Sequence, residues 1–313
     1  LATRPQNRYT FGVGYGTDTG ARVSAGWEDR YVNPQGHSLD TRIELAEIST
    51  RLSARYKVPL SEPAREQLVF ESELATEDIG DGETREFTLG ARRVARLGRF
   101  QNTLSIDYQR SEDRISGEET TRDLVIPGAG IVYSRFDDPV YATRGFRLGF
   151  HVDGGSETLG SDTSFLRGRI SGQAVRRLWP GGRVLVRGEL GSAEVADVDQ
   201  LPLSQRFFAG GDNSVRGFAY QSLGPTDADG NVVGGRHLAV ASVELEQLIR
   251  GDWGAAVFVD TGNAMNDWDV SPRTAVGVGL RYRSPVGVFR VDVAKAVDGD
   301  ESARLHLSLG VDL

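Results

Sequence analysis

Apolar and polar residues alternate with a period of two along almost the whole chain. At the C-terminus Leu305, Leu307, Leu309, Val311 and Leu313 alternate with His306, Ser308, Gly310 and Asp312. Just before, Phe289, Val291 and Val293 alternate with Arg290 and Asp292, and earlier Phe146, Leu148, Phe150 and Val152 alternate with Arg147, Gly149, His151 and Asp153. Successive strand side chains point to opposite faces, so each segment presents one apolar face. The pattern predicts sixteen strands, near 8–15, 20–28, 37–47, 50–58, 66–76, 84–96, 99–111, 121–134, 143–154, 163–178, 182–192, 236–248, 253–261, 273–283, 286–296 and 303–313. The opposite faces carry full charges of both signs: Asp40, Arg42 and Glu44 on one strand, Arg51, Arg55 and Lys57 on the next. A soluble sandwich also exposes charge, but so many apolar faces would need a second apolar layer, and no helical pattern supplies one. Turning the arrangement inside out, with apolar side chains towards lipid and charges towards a wet lumen, uses every face. The predicted fold is all-β, a 16-stranded antiparallel transmembrane barrel.

Composition changes this picture little. Hydrophobic residues make up 39% and the longest apolar run is Ala255 to Val259, far short of the roughly 20 residues of a membrane-spanning helix. Glycine, with 39 of 313 residues, exceeds the usual ~7% and suits strands that bend or close a barrel. The absence of cysteine excludes a disulfide framework and a thiolate metal site. A net charge of −8 gives no footing for nucleic acid. Connections at Leu97-Gly98, Trp179 to Gly182 and Ser284-Pro285 read as tight turns, whereas 111–120, 154–162, 193–235 and 262–272 read as mostly longer loops. Short periplasmic turns and long outside loops place both termini in the periplasm. Trp27, Trp179 and Trp253 then fall at periplasmic strand ends, as an interfacial girdle or as ordinary barrel-end packing. Residues 1–7 read as a leader to the barrel of 8–313.

The connection 193–235 carries the most specific signal. Loops beyond about 15 residues are usually functional or disordered, and this one is not low-complexity. It contains Arg206-Phe207-Phe208-Ala209-Gly210-Gly211-Asp212-Asn213-Ser214-Val215-Arg216-Gly217-Phe218. Gly210-Gly211-Asp212 is a turn signal flanked by aromatic residues. On alternation alone, Val243 and Leu245 face lipid and Glu244 the lumen; Val257 and Val259 face lipid, and Phe258 and Asp260 the lumen.

The string around Val215-Arg216-Gly217-Phe218 resembles the loop-six signature of the BamA-type outer-membrane assembly-factor superfamily, and its wording is most similar to the TamA branch. Phe258-Val259-Asp260-Thr261-Gly262, Val276 to Gly287, and Gly36 to Leu39 after Tyr31 to Pro34 extend the resemblance over nearly the whole chain. It implies that loop six folds into the barrel and that Arg216 is held by Glu244 and Asp260, with Phe258 as lumen support and Gly210, Gly211, Asp212, Val215, Gly217 and Phe218 as the loop motif. It implies a lateral seam between first and last strands. There Gly12, Gly14 and Gly16 leave one face bare, either weakening the seam or only easing twist, and Leu309 and Gly310 stand on the other side. It further implies client β-barrel or autotransporter proteins, contact with outer-membrane lipids, POTRA domains ahead of the barrel reaching an inner-membrane or periplasm-spanning partner, and no cofactor or metal. The rival readings are a BamA-type insertase, a two-partner secretion transporter, a passive porin and an outer-membrane enzyme. For the last, His37, His151, His237 and His306 sit in no recognisable catalytic context. Leu313 departs from the usual terminal Phe or Trp of outer-membrane chains.

Overall fold

A computed structural model describes residues 5–16, 19–268, 271–285, 287–297 and 302–310. The strands are β1 (Asn7–Gly16), β2 (Gly20–Asp29), β3 (Ser38–Ala46), β4 (Ser49–Pro59), β5 (Glu66–Ile79), β6 (Gly82–Leu97), β7 (Phe100–Ile115), β8 (Glu118–Phe136), β9 (Arg144–Gly155), β10 (Phe165–Trp179), β11 (Gly182–Val195), β12 (His237–Arg250), β13 (Trp253–Met265), β14 (Arg273–Ser284), β15 (Gly287–Ala296) and β16 (Arg304–Gly310). Each pairs antiparallel with the next, so one sheet follows chain order from β1 to β16. It curls into a nearly closed barrel. β16 comes to lie beside β1, and among the described residues no hydrogen-bonded ladder joins them. Residues 311–313, which extend the C-terminal alternation, lie outside the described residues.

The burial pattern is inside out. Val257, Val259, Val276, Val278, Leu280, Phe289, Val291 and Val293 are exposed, while Glu71, Asp153, Arg183, Glu244, Glu246, Asp260, Arg281 and Asp292 are buried. Water does not sort side chains this way; hydrocarbon outside and a polar interior do. The inner charges pair around the wall. Arg55 meets Glu71 at 2.6 Å, Glu71 meets Arg92 at 2.9 Å, and Arg92 reaches Asp107 at 3.5 Å. Arg51 bridges Glu73 at 3.1 Å. Neighbouring strands thus neutralise each other's inward charges.

All strand ends nearest the two termini share one rim. Trp27, Trp179 and Trp253 lie there, and around them Phe100, Tyr133 and Phe146 pack with centroids 4.9 and 5.3 Å apart, as do Trp253 and Tyr282 at 4.7 Å. Gln6 and Asn7, the last residues of the expected leader, contact this rim. Gln6 accepts from the Arg30 amide at 2.9 Å, and Asn7 pairs with Asp29.

The opposite rim departs from expectation. Residues 111–120 do not form a long loop: β7 and β8 continue as a ladder to the two-residue turn Ser116–Gly117, with Arg114 opposite Glu119. β5 and β6 likewise meet at Gly80–Asp81. Polar composition hides the extension, because Ser111 and Asp113 face inward and are buried by hydrogen bonds rather than by apolar packing: Thr84 donates to Asp113 at 2.6 Å, as does Ser111 at 2.8 Å. These tall strands meet the loop between β11 and β12, which is why they extend.

At β1, Tyr9, Phe11, Val13 and Tyr15 face outward, Val13 being 90% exposed. The inward face at Gly12 and Gly14 is covered from β2: a Cβ would lie 2.6 Å from Ser24 Oγ at Gly12 and 2.5 Å from Arg22 Nε at Gly14. These glycines make room for their neighbour's side chains. Gly16 ends β1 opposite Gly20, and in β16 Leu309 pairs with Phe289 and Gly310 with Val288.

Candidate functional site

The connection from β11 to β12 carries an apolar surface of its own. Leu201, Phe207, Ala209, Val215, Phe218 and Leu223 are buried against Leu124, Ile126, Phe165, Val195, Leu238 and Val240 of the wall. These wall residues point inward against the general rule, since there the loop and not water faces them. Two short 3₁₀ turns, Val198–Gln200 and Leu203–Gln205, begin the loop. Asp197 caps the first by accepting from the Asp199 amide at 3.2 Å. Backbone bridges Phe207 to Gly235 and Ala209 to Leu223 fold it back on itself.

Gly210 and Gly211 have φ of 103° and 92°, a region open to glycine and strained for other residues. The turn they form closes when the Gly211 amide donates to the Phe218 carbonyl at 3.1 Å. Gly217 has φ 98°, and a Cβ there would lie 2.8 Å from Ala275 Cβ. Conformation and close approach both require glycine on either side of Arg216.

Arg216 sits 6% exposed with all five N–H groups partnered. Nε and Nη2 donate to the two Asp260 oxygens at 2.7 and 3.0 Å; Nη1 donates to Glu244 at 2.8 Å and Asp292 at 3.0 Å; Nη2 also reaches Ser242 Oγ at 3.5 Å. The fork on Asp260 is the bidentate geometry that guanidinium favours. Its Cζ lies 3.4 Å from the centroid of the Phe258 ring, a cation–π contact from below.

The cluster is larger than the triad expected from the sequence. Arg281, 1% exposed, donates to Glu244 at 2.6 Å, to Glu246 at 3.0 Å and to Asp292. Arg183 donates to Glu246 at 2.7 Å, and Arg187 approaches Asp260 at 3.8 Å while donating to the Asp212 and Ser214 carbonyls. Four arginines face four carboxylates, so the buried charge balances. Asp292 was visible as an inward residue by parity, and Arg281 stands in the penultimate hairpin, but only the register of β12 to β15 brings them beside Arg216. His306 of β16 pairs with Asp212 and accepts from the Gly217 amide at 3.3 Å, tying the last strand directly to the loop motif. Between Arg187, Asp212, Arg290, His306 and Ser308 lies a polar cavity of about 380 Å³. Among the described residues no histidine and carboxylate group is arranged to hold a metal ion.

Two predictions follow from this packing. At Gly277 a Cβ would lie 2.1 Å from the Phe258 ring, so Gly277→Ala must displace the surface on which Arg216 rests. The expected destabilisation is about 1–3 kcal/mol, typical of overpacking. It is read by heat-dependent gel mobility in micelles; an unchanged transition would show that Phe258 gives way freely.

The loop tip supplies the second. Asp227 accepts from Ser116 Oγ at 2.6 Å, from the Asn231 and Asp229 amides at 2.9 Å each, and from Asn231 Nδ2 at 3.1 Å, joining the loop to the β7–β8 turn. The Ser116 bond, followed by those of Asn231, holds its carboxyl down at about 2. A depressed carboxyl contributes stability that is present above its unfolded value of about 3.9 and lost as pH falls through the folded value. Hydrogen-exchange protection at Asn231 is therefore expected to fall between about pH 4 and pH 2. Asp227→Asn should lower that protection already at neutral pH and remove the acid step; identical profiles would exclude Asp227 as the anchor.

The sequence and the architecture both match known proteins. The Omp85 superfamily domain model matches residues 7–312. The outer membrane protein assembly factor BamA of Nitratidesulfovibrio vulgaris is 29% identical over 178 residues, which cover 50% of this chain and 21% of that protein. BamA of Neorickettsia risticii is 31% identical over 171 residues, 48% of this chain and 22% of that protein. The matched regions thus span about a fifth of these relatives' length. Among solved structures, BamA from Haemophilus ducreyi lacking POTRA domains 1–3 superimposes with a TM-score of 0.84 at 18% identity, covering 98% of this chain and 69% of that one. CdiB from Escherichia coli gives 0.65 at 12% identity, covering 99% and 63%. With a barrel, an outward apolar face and a family model that agree from β1 to the last strand, the chain belongs to the Omp85 superfamily of the bacterial outer membrane.

Proposed function

We propose that this barrel assembles or exports other outer-membrane proteins, presenting the seam between β1 and β16 to client β-barrel or autotransporter chains. The observation that carries the reading is the buried Arg216 cluster, which ties the β11–β12 loop to β12, β13 and β15 and, through Asp212 and His306, to β16. A passive pore has no need of a loop held by five guanidinium hydrogen bonds. A seam whose last strand is fastened to the loop has a way to set when it opens. The outward edge at β1 and β16 offers a client strand backbone partners for β-augmentation, and client folding supplies the driving force.

Both termini face the periplasm in this reading. The longest connections, including 156–164 and 196–236, leave the opposite rim, and outer-membrane barrels keep long loops outside. POTRA domains ahead of the barrel would reach a partner at the inner membrane. Within the family the TamA-type role is favoured by the wording around Gly210-Gly211-Asp212. The likeness to the CdiB barrel supports secretion of a dedicated partner as a second reading.

The test is reconstitution. Vesicles carrying this barrel should speed the folding of an unfolded client barrel, measured by its heat-modifiable gel shift, relative to vesicles carrying an ordinary closed porin. Equal rates would overturn the assembly reading.

A further inference from the structure

On the outward face near the terminal rim, Arg144 of β9 stands directly opposite Arg176 of β10. Arg135 of β8 lies diagonally beside them, opposite Phe146. All three are exposed, and among the described residues none has an ion-pair partner. Like charges directly opposite each other on a sheet destabilise it. The two carboxylates of the adjoining β8–β9 turn are occupied by backbone: Asp137 accepts from the Thr143 and Arg144 amides at 2.8 and 3.0 Å, and Asp138 from the Val140 and Tyr141 amides at 2.8 Å each. The cluster therefore calls for an anion from outside the chain.

Its surroundings say which kind. The arginines share their face with Phe146, Leu148 and Ile170, exposed apolar residues that line the lipid side. They lie about two residues, roughly 7 Å of strand, rimward of the stacked Tyr133–Phe146 pair, at the level where headgroups meet a barrel's aromatic girdle. From Arg176 the outward positions of β10 continue as Ala174 and Gly172, with Val186 and Gly188 opposite on β11. At Gly172 a Cβ would press on Leu148 Cδ2 at 3.2 Å, so the end of the Leu148 side chain, a flexible group, leans over this glycine and forms the near wall. Small residues thus leave a shallow furrow between the ridge of Phe146 and Leu148 and the far side of β11, leading from the cations into the hydrocarbon zone.

We propose that Arg135, Arg144 and Arg176 bind the phosphate of an anionic glycerophospholipid whose acyl chain lies along the Ala174–Gly172 furrow. The choice of phospholipid over lipopolysaccharide rests on placing the terminal rim in the periplasmic leaflet, as proposed above. An acidic protein domain would approach the rim from below and would not use the furrow.

The full chain in neutral-detergent micelles is titrated with phosphatidylglycerol, phosphatidylcholine, lipid A or inorganic phosphate, and bound lipid is counted by native mass spectrometry. Phosphatidylglycerol should be retained over phosphatidylcholine. A cation near an anionic surface contributes about a fivefold factor. The triple variant Arg135→Gln/Arg144→Gln/Arg176→Gln should therefore bind roughly a hundredfold more weakly, and Arg110→Gln, near the other rim, should bind normally. Gly172→Leu, which fills the furrow without changing charge, should also weaken retention. If the triple variant fails to fold, Arg144→Gln alone reads the same loss at about fivefold. Undiminished phosphatidylglycerol binding by the triple variant overturns the proposal and leaves the arginines to an acidic protein segment. Stronger retention of lipid A, or equal competition by inorganic phosphate, overturns it in favour of the outer leaflet or a free-anion site. None of these readouts involves client assembly, so failure here and failure of the assembly reading are distinguishable.

Discussion

Arg216→Ala is expected to destabilise the barrel by about 3–5 kcal/mol, the usual effect of removing one partner from a buried ion pair. The loss does not fall evenly on its three carboxylates. Glu244 and Asp292 keep Arg281, which bonds both. Asp260 has no exposure and retains the backbone amide of position 216 at 3.1 Å, the Ser242 hydroxyl at 2.5 Å and Arg187 at 3.8 Å; with no guanidinium left in hydrogen-bond contact, it becomes the least compensated charge. Arg216→Lys should fall between, because a single ammonium cannot satisfy the fork on Asp260 and Glu244 together. The double variant Arg216→Met/Asp260→Asn should recover a good part of the loss, since it leaves no unpaired charge at position 260 and the neutral amide can still meet the Ser242 hydroxyl and the backbone amide of position 216. Urea titrations in micelles, followed by tryptophan fluorescence, give all three values, and the single variants Arg216→Met and Asp260→Asn complete the cycle that gives the coupling between the two positions. A single variant as stable as the native chain would mean that the hydrogen bonds of Arg216 merely offset its desolvation. In the reconstitution assay, Arg216→Ala should also slow client folding, and the recovered double variant separates loss of stability from loss of the link between loop and wall.

The strand pattern was legible because each residue reports its own face. Val257, Phe258, Val259 and Asp260 alternate, and their burial alternates with them. Period-2 reading says which face a residue takes but not what stands opposite that face. Leu124, Ile126 and Val240 are inward and apolar because the loop covers them, a contact between segments far apart in sequence. The same limit hides the rest of the charge cluster. Arg216, Glu244 and Asp260 stand in strings whose resemblance assigns them a role, whereas Arg281, though inside the hairpin string Val276 to Gly287, and Asp292 are two among many inward charges until the register places Asp292 opposite Gly279, two residues from Arg281 on the same face. The ends of β7 and β8 were lost for a different reason. Their inward residues Ser111 and Asp113 are buried by polar contacts, including the Leu203 amide donating to Asp113 at 3.0 Å, so no apolar alternation marks them as strand.

Val278→Arg is the substitution that most directly tests which way the barrel faces. Val278 lies mid-strand in β14, opposite Val257 on β13 and Val293 on β15, and is 59% exposed. On a water-soluble sheet, a surface change of this kind alters stability by no more than about 0.5 kcal/mol. At the midplane of a bilayer the same arginine costs about 2–4 kcal/mol, and the penalty shrinks towards the interfaces. Moving the arginine rimward along the same face, to Tyr282 beside Trp253 and Phe289, should therefore reduce the cost of the charge, once the lost aromatic contacts are subtracted with a Tyr282→Ala reference. The inner face should behave oppositely. Ser171 lines a water-accessible recess with Arg147, Gln173, Arg187 and Glu189 and stands directly opposite Glu189, so Ser171→Arg, the same charge placed on the inner face, should lie within about 0.5 kcal/mol of the native chain. Folding free energies in phospholipid vesicles supply the comparison. A Val278→Arg cost that is small, and independent of position along β14, would place that face in water and remove the physical basis for reading the chain as a membrane barrel.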